Sequence, residues 1–506
     1  MRVLRNATWT QVLRSDRRIQ LAVFGVALLV RFVPAALLGG LRTWGTYDDG
    51  VYFAAADAMI HGRIPYGQFV LLHPPGILLA LAPFAWLGSV TSDGLGLVIA
   101  RVAFMLIGSV NAVLAAQVAR RWGRPAALVA GLAYALSATA VYAERTAMLE
   151  GLGNLCLLSA LVLLSRRKPN MLLVGLVLGL GVSVKIWGVV PLVVLAVWVR
   201  WRRGRRDSLL LAGGAVLSGA AVCLPFFLLS PQSMFRYVVV DQLGRPRSLM
   251  TIVDRVGFMA GFGRDRFTGA LGLGIAVLLL ALVVAAVAVG CLAWEVEAAR
   301  LYVVLSAVMG LLLLVTPSLF LQYGAVLAAP AAVMIGAAAT RLDLVPFGRA
   351  PSPRRLSAVA LVVLVLAVPS LVRPNGSHLP TAIPAVAAGL PGCVTADDPT
   401  VLILADVLTR DLERGCRVWV DVSGLAYDRA GVRPADGQAP SPRADNAGWQ
   451  QQVMGYLSSG DATMVVRRAT GLSAASLERV AGWKPLTPPG RVVLLDPERV
   501  GGHLPA

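Results

Sequence analysis

Lysine is almost missing from this chain. It occurs only at 168, 185 and 484, and charged residues of all kinds make up 14% of the 506 positions. With 57% apolar residues beside so few charges, an ordinary soluble globular fold is excluded. There are only four histidines, and no His/Cys cluster has the spacing of a zinc site. No Walker A sequence is present, so nothing points to ATP hydrolysis. No GxSxG elbow occurs either, and no internal repeat.

What the chain has instead is apolar runs long enough to span hydrocarbon, the mark of a polytopic membrane protein. Eleven spans are predicted, at 20–40, 97–119, 125–142, 152–165, 170–184, 187–200, 208–230, 269–293, 300–316, 322–340 and 356–372, with tilted or broken helices anticipated in 152–200. The net charge of +19 comes mainly from arginines clustered at the ends of these runs, at 120–124, 166–168, 200–206, around 300 and at 341–355. That is the positive-inside pattern of a membrane protein, and no nucleic-acid-binding motif accompanies it. The basic N-terminus leads into an apolar stretch without a small-residue cleavage site and reads as an uncleaved first helix. The clusters share one face only if 77–89 does not cross. Its thirteen residues would rise ~20 Å against a ~30 Å core, so it is expected to be re-entrant or to lie on the outer face. The segments 41–96, 143–151, 231–268 and 317–321 and the tail after 372 are then external.

The tail changes character. Residues 1–375 form the expected membrane domain and 376–506 a small extracytoplasmic α/β domain. Apolar pulses CVTA, VLILA, RVWVDV, TMVVR and RVVLL alternate with helix-like segments at 406–414 and 474–481. Residues 430–447 read as a loop. Cys156, Cys223 and Cys291 lie in apolar segments and read as packing residues. Cys393 and Cys416 lie in the tail, where a disulfide between them needs an oxidising compartment.

The chemistry-bearing residues concentrate in the external loops. Asp48 and Asp49 open the first, YDDGVYFAAADAMIHGRIPYGQFVLLHPPG at 47–76. Carboxylates at the edge of lipid are costly and tend to serve a purpose. One of them can take a proton from a hydroxyl, or the two can share a divalent cation such as Mg or Mn. The plainer alternative is a solvated loop or helix cap. Tyr52 lies one helical turn on, Arg63 and His73 add charge, and the paired prolines after His73 stiffen the chain. The second loop carries Glu144, Arg145 and Glu150. Lys185 interrupts apolar sequence at the predicted outer boundary. It is either a snorkelling lysine or a cation for an anionic lipid headgroup. Arg236, Asp241, Gln242, Arg245 and Arg247 form an external patch whose guanidinium forks suit phosphate. Gln322 and Tyr323 stand at the last external turn.

YDDGVY followed by HGRIPYGQF and HPPG resembles the first external loop of the GT-C glycosyltransferases, in particular the protein mannosyltransferase and aminoarabinose transferase branches. The resemblance spans about 20–340 and is strongest at 47–76, and the tail resembles extensions on actinobacterial members. It implies an all-α polytopic GT-C-like bundle of about eleven transmembrane helices in a bacterial plasma membrane, with the active site and tail on the extracytoplasmic side. It further implies a polyprenyl-phosphate sugar donor and a glycan, lipid or protein acceptor. By that resemblance Asp48 is the base and Asp49 its supporting or alternate acid. Glu144 or Glu150 is the second-loop acid, and Lys185, Arg63, Arg245 and Arg247 hold the lipid phosphate. Tyr52, His73, Arg145, Gln322 and Tyr323 would contact substrate. Mannose and arabinose are the sugars weighed. A polytopic lipid or glycan transporter is the main alternative, and it would be expected to show internal repeats or paired broken helices.

Overall fold

The computed structural model describes residues 9–245, 250–262, 270–341, 376–427, 443–466 and 471–497. Ten helices open the chain: α1 (Trp9–Leu37), α2 (Asp48–Ile60), α3 (Gly76–Val90), α4 (Asp93–Ala119), α5 (Arg124–Ala135), α6 (Ala138–Glu144), α7 (Leu149–Leu164), α8 (Met171–Val184), α9 (Val189–Arg203) and α10 (Arg205–Leu229). Further long helices run over Ala270–Trp294, Arg300–Val315 and Ala325–Ala338. Among the described residues six helices are long and apolar enough to cross a membrane, or seven if α5 and α6, bent by 58°, form one broken span. Each of the first ten expected spans therefore coincides with helix, and the eleventh, 356–372, lies outside the described residues. α3, α7 and α8 are apolar but shorter than a straight crossing requires.

Two compact units emerge. The first comprises Met1–Ala35, Val102–Ala221 and Arg247–Arg373. Its α8 is capped by Asn170, whose side chain accepts from the Leu173 N–H at 3.2 Å. Small residues then let α8 and α10 touch backbone to backbone. A Cβ on Gly175 would sit 2.0 Å from the Leu211 carbonyl oxygen, and one on Gly179 2.2 Å from that of Ala215. This close approach is the usual way helices associate where water cannot drive them together.

The second unit comprises Ala36–Arg101, Val222–Pro246 and Pro374–Ala506, so the described tail packs in one unit with the 41–96 segment. Strand β1 (Thr43–Trp44) pairs antiparallel with β2 (Ser377–His378), joining segment and tail directly. A four-stranded sheet of β3 (Val394–Ala396), β4 (Ala462–Met464), β5 (Lys484–Pro485) and β6 (Leu494–Asp496) runs in the order β3-β4-β6-β5. β3 and β4 are parallel and the remaining pairs antiparallel. Cys393 and Cys416 are disulfide-bonded, with Cα atoms 5.8 Å apart. Two of the apolar pulses read as strands are not strands. VLILA lies in the helix Pro399–Leu404, because Asp398 accepts from the Thr400 N–H at 2.9 Å and proline occupies its first turn. RVWVDV, at 417–422, forms no ladder.

The tail also grips α2 through an acidic contact. The Thr409 hydroxyl lies 2.6 Å from an Asp93 carboxylate oxygen and 3.1 Å from one of Asp57. A hydroxyl carries one proton, so it cannot donate to both. Burial above all, then the Asp93 charge, pushes the Asp57 carboxyl up to about 7, while His61 and the Thr409 hydroxyl pull the other way and Glu413 adds to the rise. The folded chain therefore holds this proton between about pH 4 and 7, where the unfolded chain has lost it. Stability falls as pH rises across that window and levels off above it. Melting in detergent should lose on the order of 2 kcal/mol between pH 5.5 and 8. Asp57→Asn should remove most of that loss, and an unchanged pH profile in the variant would refute the assignment.

Candidate active site

In the second unit, Asp48 and Asp49 occupy the first turn of α2, where the helix N-terminus favours negative charge. The two acids are not equivalent. Asp49 is fully buried. One of its oxygens accepts from the Thr46 hydroxyl at 2.6 Å. The other accepts from the Arg101 Nε at 2.8 Å, with the Arg101 Nη2 2.6 Å away. Arg101 in turn donates to the Leu41 carbonyl at 2.8 Å. Asp48, one residue earlier, is half-buried. With both Asp49 oxygens engaged and a guanidinium beside them, the pair does not fit a cation chelated by both carboxylates. Among the described residues no group of three His, Cys, Asp or Glu side chains is arranged for a metal.

The rest of the first loop packs around this turn. Tyr52 and His73 are buried and meet edge to face, with ring centroids 5.6 Å apart. The Tyr66 hydroxyl donates to the His73 carbonyl at 2.8 Å, which fixes the segment before the paired prolines. Arg63 is half-buried, 3.5 Å from the Cys416 carbonyl. Gln242 donates to the Leu72 carbonyl, tying the segment around 242 to the one before the paired prolines. Asp241 is buried, with the Arg236 guanidinium 4.0 Å from its carboxylate. Arg245 lies close enough for its charge to act on buried Asp421, whose carboxyl burial pushes up and Gly424, Tyr47, Arg245 and Arg443 pull down. Arg247 lies outside the described residues.

The first unit holds the remaining candidates. Lys185 is buried, and its Nζ lies 2.5 Å from Glu150. The ammonium also sits 3.8 Å from the Tyr323 ring centroid and 4.6 Å from that of Trp187. Glu150, Asn154, Lys185 and Trp187 line a pocket whose other walls, including Leu157 and Met309, are mostly apolar. Gln322 is buried on the turn before Tyr323. Glu144 is held by Arg31, Tyr134 and Asn111, and Arg145 donates to the Val30 carbonyl at 2.7 Å. Of the expected phosphate-binding cations, Lys185 thus belongs to the first unit, and Arg63 and Arg245 to the second.

A family model described as Glycosyltransferase family 87 matches residues 71–317. The structure of ArnT from Cupriavidus metallidurans in the apo state aligns with a TM-score of 0.60 at 16% identity, covering 94% of this chain and 97% of that one. The same protein bound to undecaprenyl phosphate gives 0.58 at 15%, covering 96% and 98%. The apo oligosaccharyltransferase of Archaeoglobus fulgidus gives 0.54 at 13%, covering 89% and 69%. The chain is a membrane glycosyltransferase with the GT-C fold. No curated protein sequence matches it. The family model decides for the enzyme over the transporter.

In this glycosyltransferase, sequence reading passed over two arginines that organise the acids. Arg31 and Arg101 are fully buried, each the lone charge in an apolar stretch, ALLVRFVP and LVIARVAF. That isolation was the available signal, since a charge inside a membrane segment needs a partner. Tyr47 and Asp421 were also missed. They are 374 residues apart in sequence, yet the Tyr47 hydroxyl donates to Asp421 at 2.8 Å.

Proposed function

We propose that this glycosyltransferase takes a sugar of the mannose or arabinose class from a polyprenyl-phosphate donor. It passes the sugar to a glycan, lipid or protein acceptor of the cell envelope at the extracytoplasmic face of a bacterial plasma membrane. The difference between the two acids carries this reading. Asp49 is buried in an ion pair with Arg101, and Asp48 is half-buried in the first turn of α2, which supports Asp48 as the proton acceptor. The acceptor oxygen attacks the anomeric carbon as its proton passes to the Asp48 carboxylate. The bond from that carbon to the phosphate oxygen breaks on the opposite face, and the configuration inverts.

The departing lipid phosphate gains negative charge, which Arg63 and Arg245 would stabilise. Lys185, within the first unit, is already paired with Glu150. Undecaprenyl phosphate bound to the structurally similar ArnT supports a lipid-phosphate donor. The test is transfer by the purified protein in nanodiscs, supplied with polyprenyl-phosphate-linked mannose or arabinose and a fraction of envelope acceptors. Release of polyprenyl phosphate with an inverted linkage is expected. Transfer from a nucleotide sugar with none from the lipid donor would overturn the reading.

A further inference from the structure

The backbone immediately before Asp48 is bent against its preference. Tyr47 has φ 52° and ψ −64°. The Asp48 N–H reaches back to the Thr46 carbonyl at 2.6 Å. Together these make a γ-turn of the rare, strained hand, centred on a bulky residue that has no intrinsic reason to adopt it. Such strain persists only where the surroundings over-determine it.

The surroundings here belong to the tail. The Tyr47 side chain is buried, and its hydroxyl donates to Asp421 at 2.8 Å and accepts from the Ser423 N–H at 2.9 Å. Asp421 is held in turn by the Gly424 N–H at 2.8 Å, where a Cβ would come within 2.3 Å of its other oxygen. The Arg443 guanidinium bonds the Ser423 hydroxyl at 2.6 Å, and the Trp449 indole N–H donates to the Val422 carbonyl at 3.2 Å. Three and four residues before Tyr47, the β1–β2 pairing ties Trp44 and Thr43 to the tail as well. The strained turn is thus clamped on its backbone side by a strand and on its side-chain side by a buried carboxylate.

We propose that Tyr47 and Asp421 are positioning residues for transfer: the tail, through this hydrogen bond, holds the γ-turn that aims Asp48. This rests on the reading of Asp48 as the base. It gives the tail a part in catalysis that does not require it to touch substrate. Losing the clamp lets Tyr47 relax to an ordinary φ and swings the carboxylate away.

Removing only the hydroxyl, in Tyr47→Phe, should lower kcat roughly ten- to a hundredfold with KM within about twofold, because the base is misaimed while the donor still binds. Asp421→Ala should do the same. Asp421→Asn, which keeps an oxygen able to accept from Tyr47 and Gly424, should recover most of the activity. The double variant Tyr47→Phe/Asp421→Ala should be no worse than either single change, as expected of one shared interaction. Rates are taken per folded molecule, measured beside melting and disulfide content, so a role confined to stability shows as lost protein with unchanged kcat and overturns the proposal. Wild-type kcat in Tyr47→Phe and Asp421→Ala, with Asp48→Asn inactive, sinks the inference alone. An active Asp48→Asn enzyme overturns the base assignment and this inference together.

Discussion

Asp48→Asn should reduce turnover by about 10²–10⁴ and leave both the fold and donor binding close to wild type. The amide is nearly isosteric, but it cannot accept the acceptor's proton at neutral pH. Its neighbour makes the control. Asp49→Asn removes the countercharge of Arg101, a side chain with almost no solvent exposure, and leaves a guanidinium buried against an amide. Removing one partner of a buried ion pair costs about 3–5 kcal/mol, so that variant should lose yield and melting temperature. Two adjacent carboxylates, each replaced by its amide, should therefore fail differently: one in kcat, the other in stability. Both are read from single-turnover transfer and thermal melts on the same preparations. If Asp49→Asn is the stable but inactive one, the roles are reversed.

Much of the helical fold was legible, because an apolar run of twenty residues has few alternatives in a membrane. The tail was less so. VLILA is too short to separate strand from helix by periodicity, and the deciding information sat just before it, in the Asp-Pro start at 398 and 399. The sheet was found where β-rich pulses pair with each other, as β3 does with β4. The acidic pair stood out because carboxylates beside lipid are rare, whereas the division of labour between its members was invisible. That division depends on Arg101, which sits 52 residues away from Asp49 on another helix. The clamp on Tyr47 was hidden for the same reason at greater range. Long-range partners of a buried polar group leave in one sequence only the trace of an isolated charge, and Arg31 and Arg101 both carry it.

The second variant with a large expected effect is Glu144→Ala. The resemblance to other GT-C enzymes implied a second-loop acid facing substrate, but the bonding of Glu144 points to an anchor. One oxygen accepts from the Arg31 Nε at 2.9 Å, with the Nη2 2.5 Å away. The other accepts from the Tyr134 hydroxyl at 2.6 Å and from Asn111 at 3.0 Å. Neither Arg31 nor Glu144 has any exposed side-chain surface. Gly108 on α4 leaves the room for them, since a Cβ there would come within 2.3 Å of the carboxylate. The network joins α1, α4, α5 and α6 at the start of the 145–148 loop, which leads to Glu150. Truncating Glu144 strands the Arg31 charge and should cost about 3–5 kcal/mol, whereas an apolar pair such as Arg31→Met with Glu144→Leu should recover much of it. Gly108→Ala should damage the same network without touching either charge. A substrate-binding acid predicts the opposite pattern: Glu144→Ala would melt like wild type and raise KM. Melting curves and transfer kinetics on the three variants separate the two roles, because only an anchor is rescued by removing its own partner.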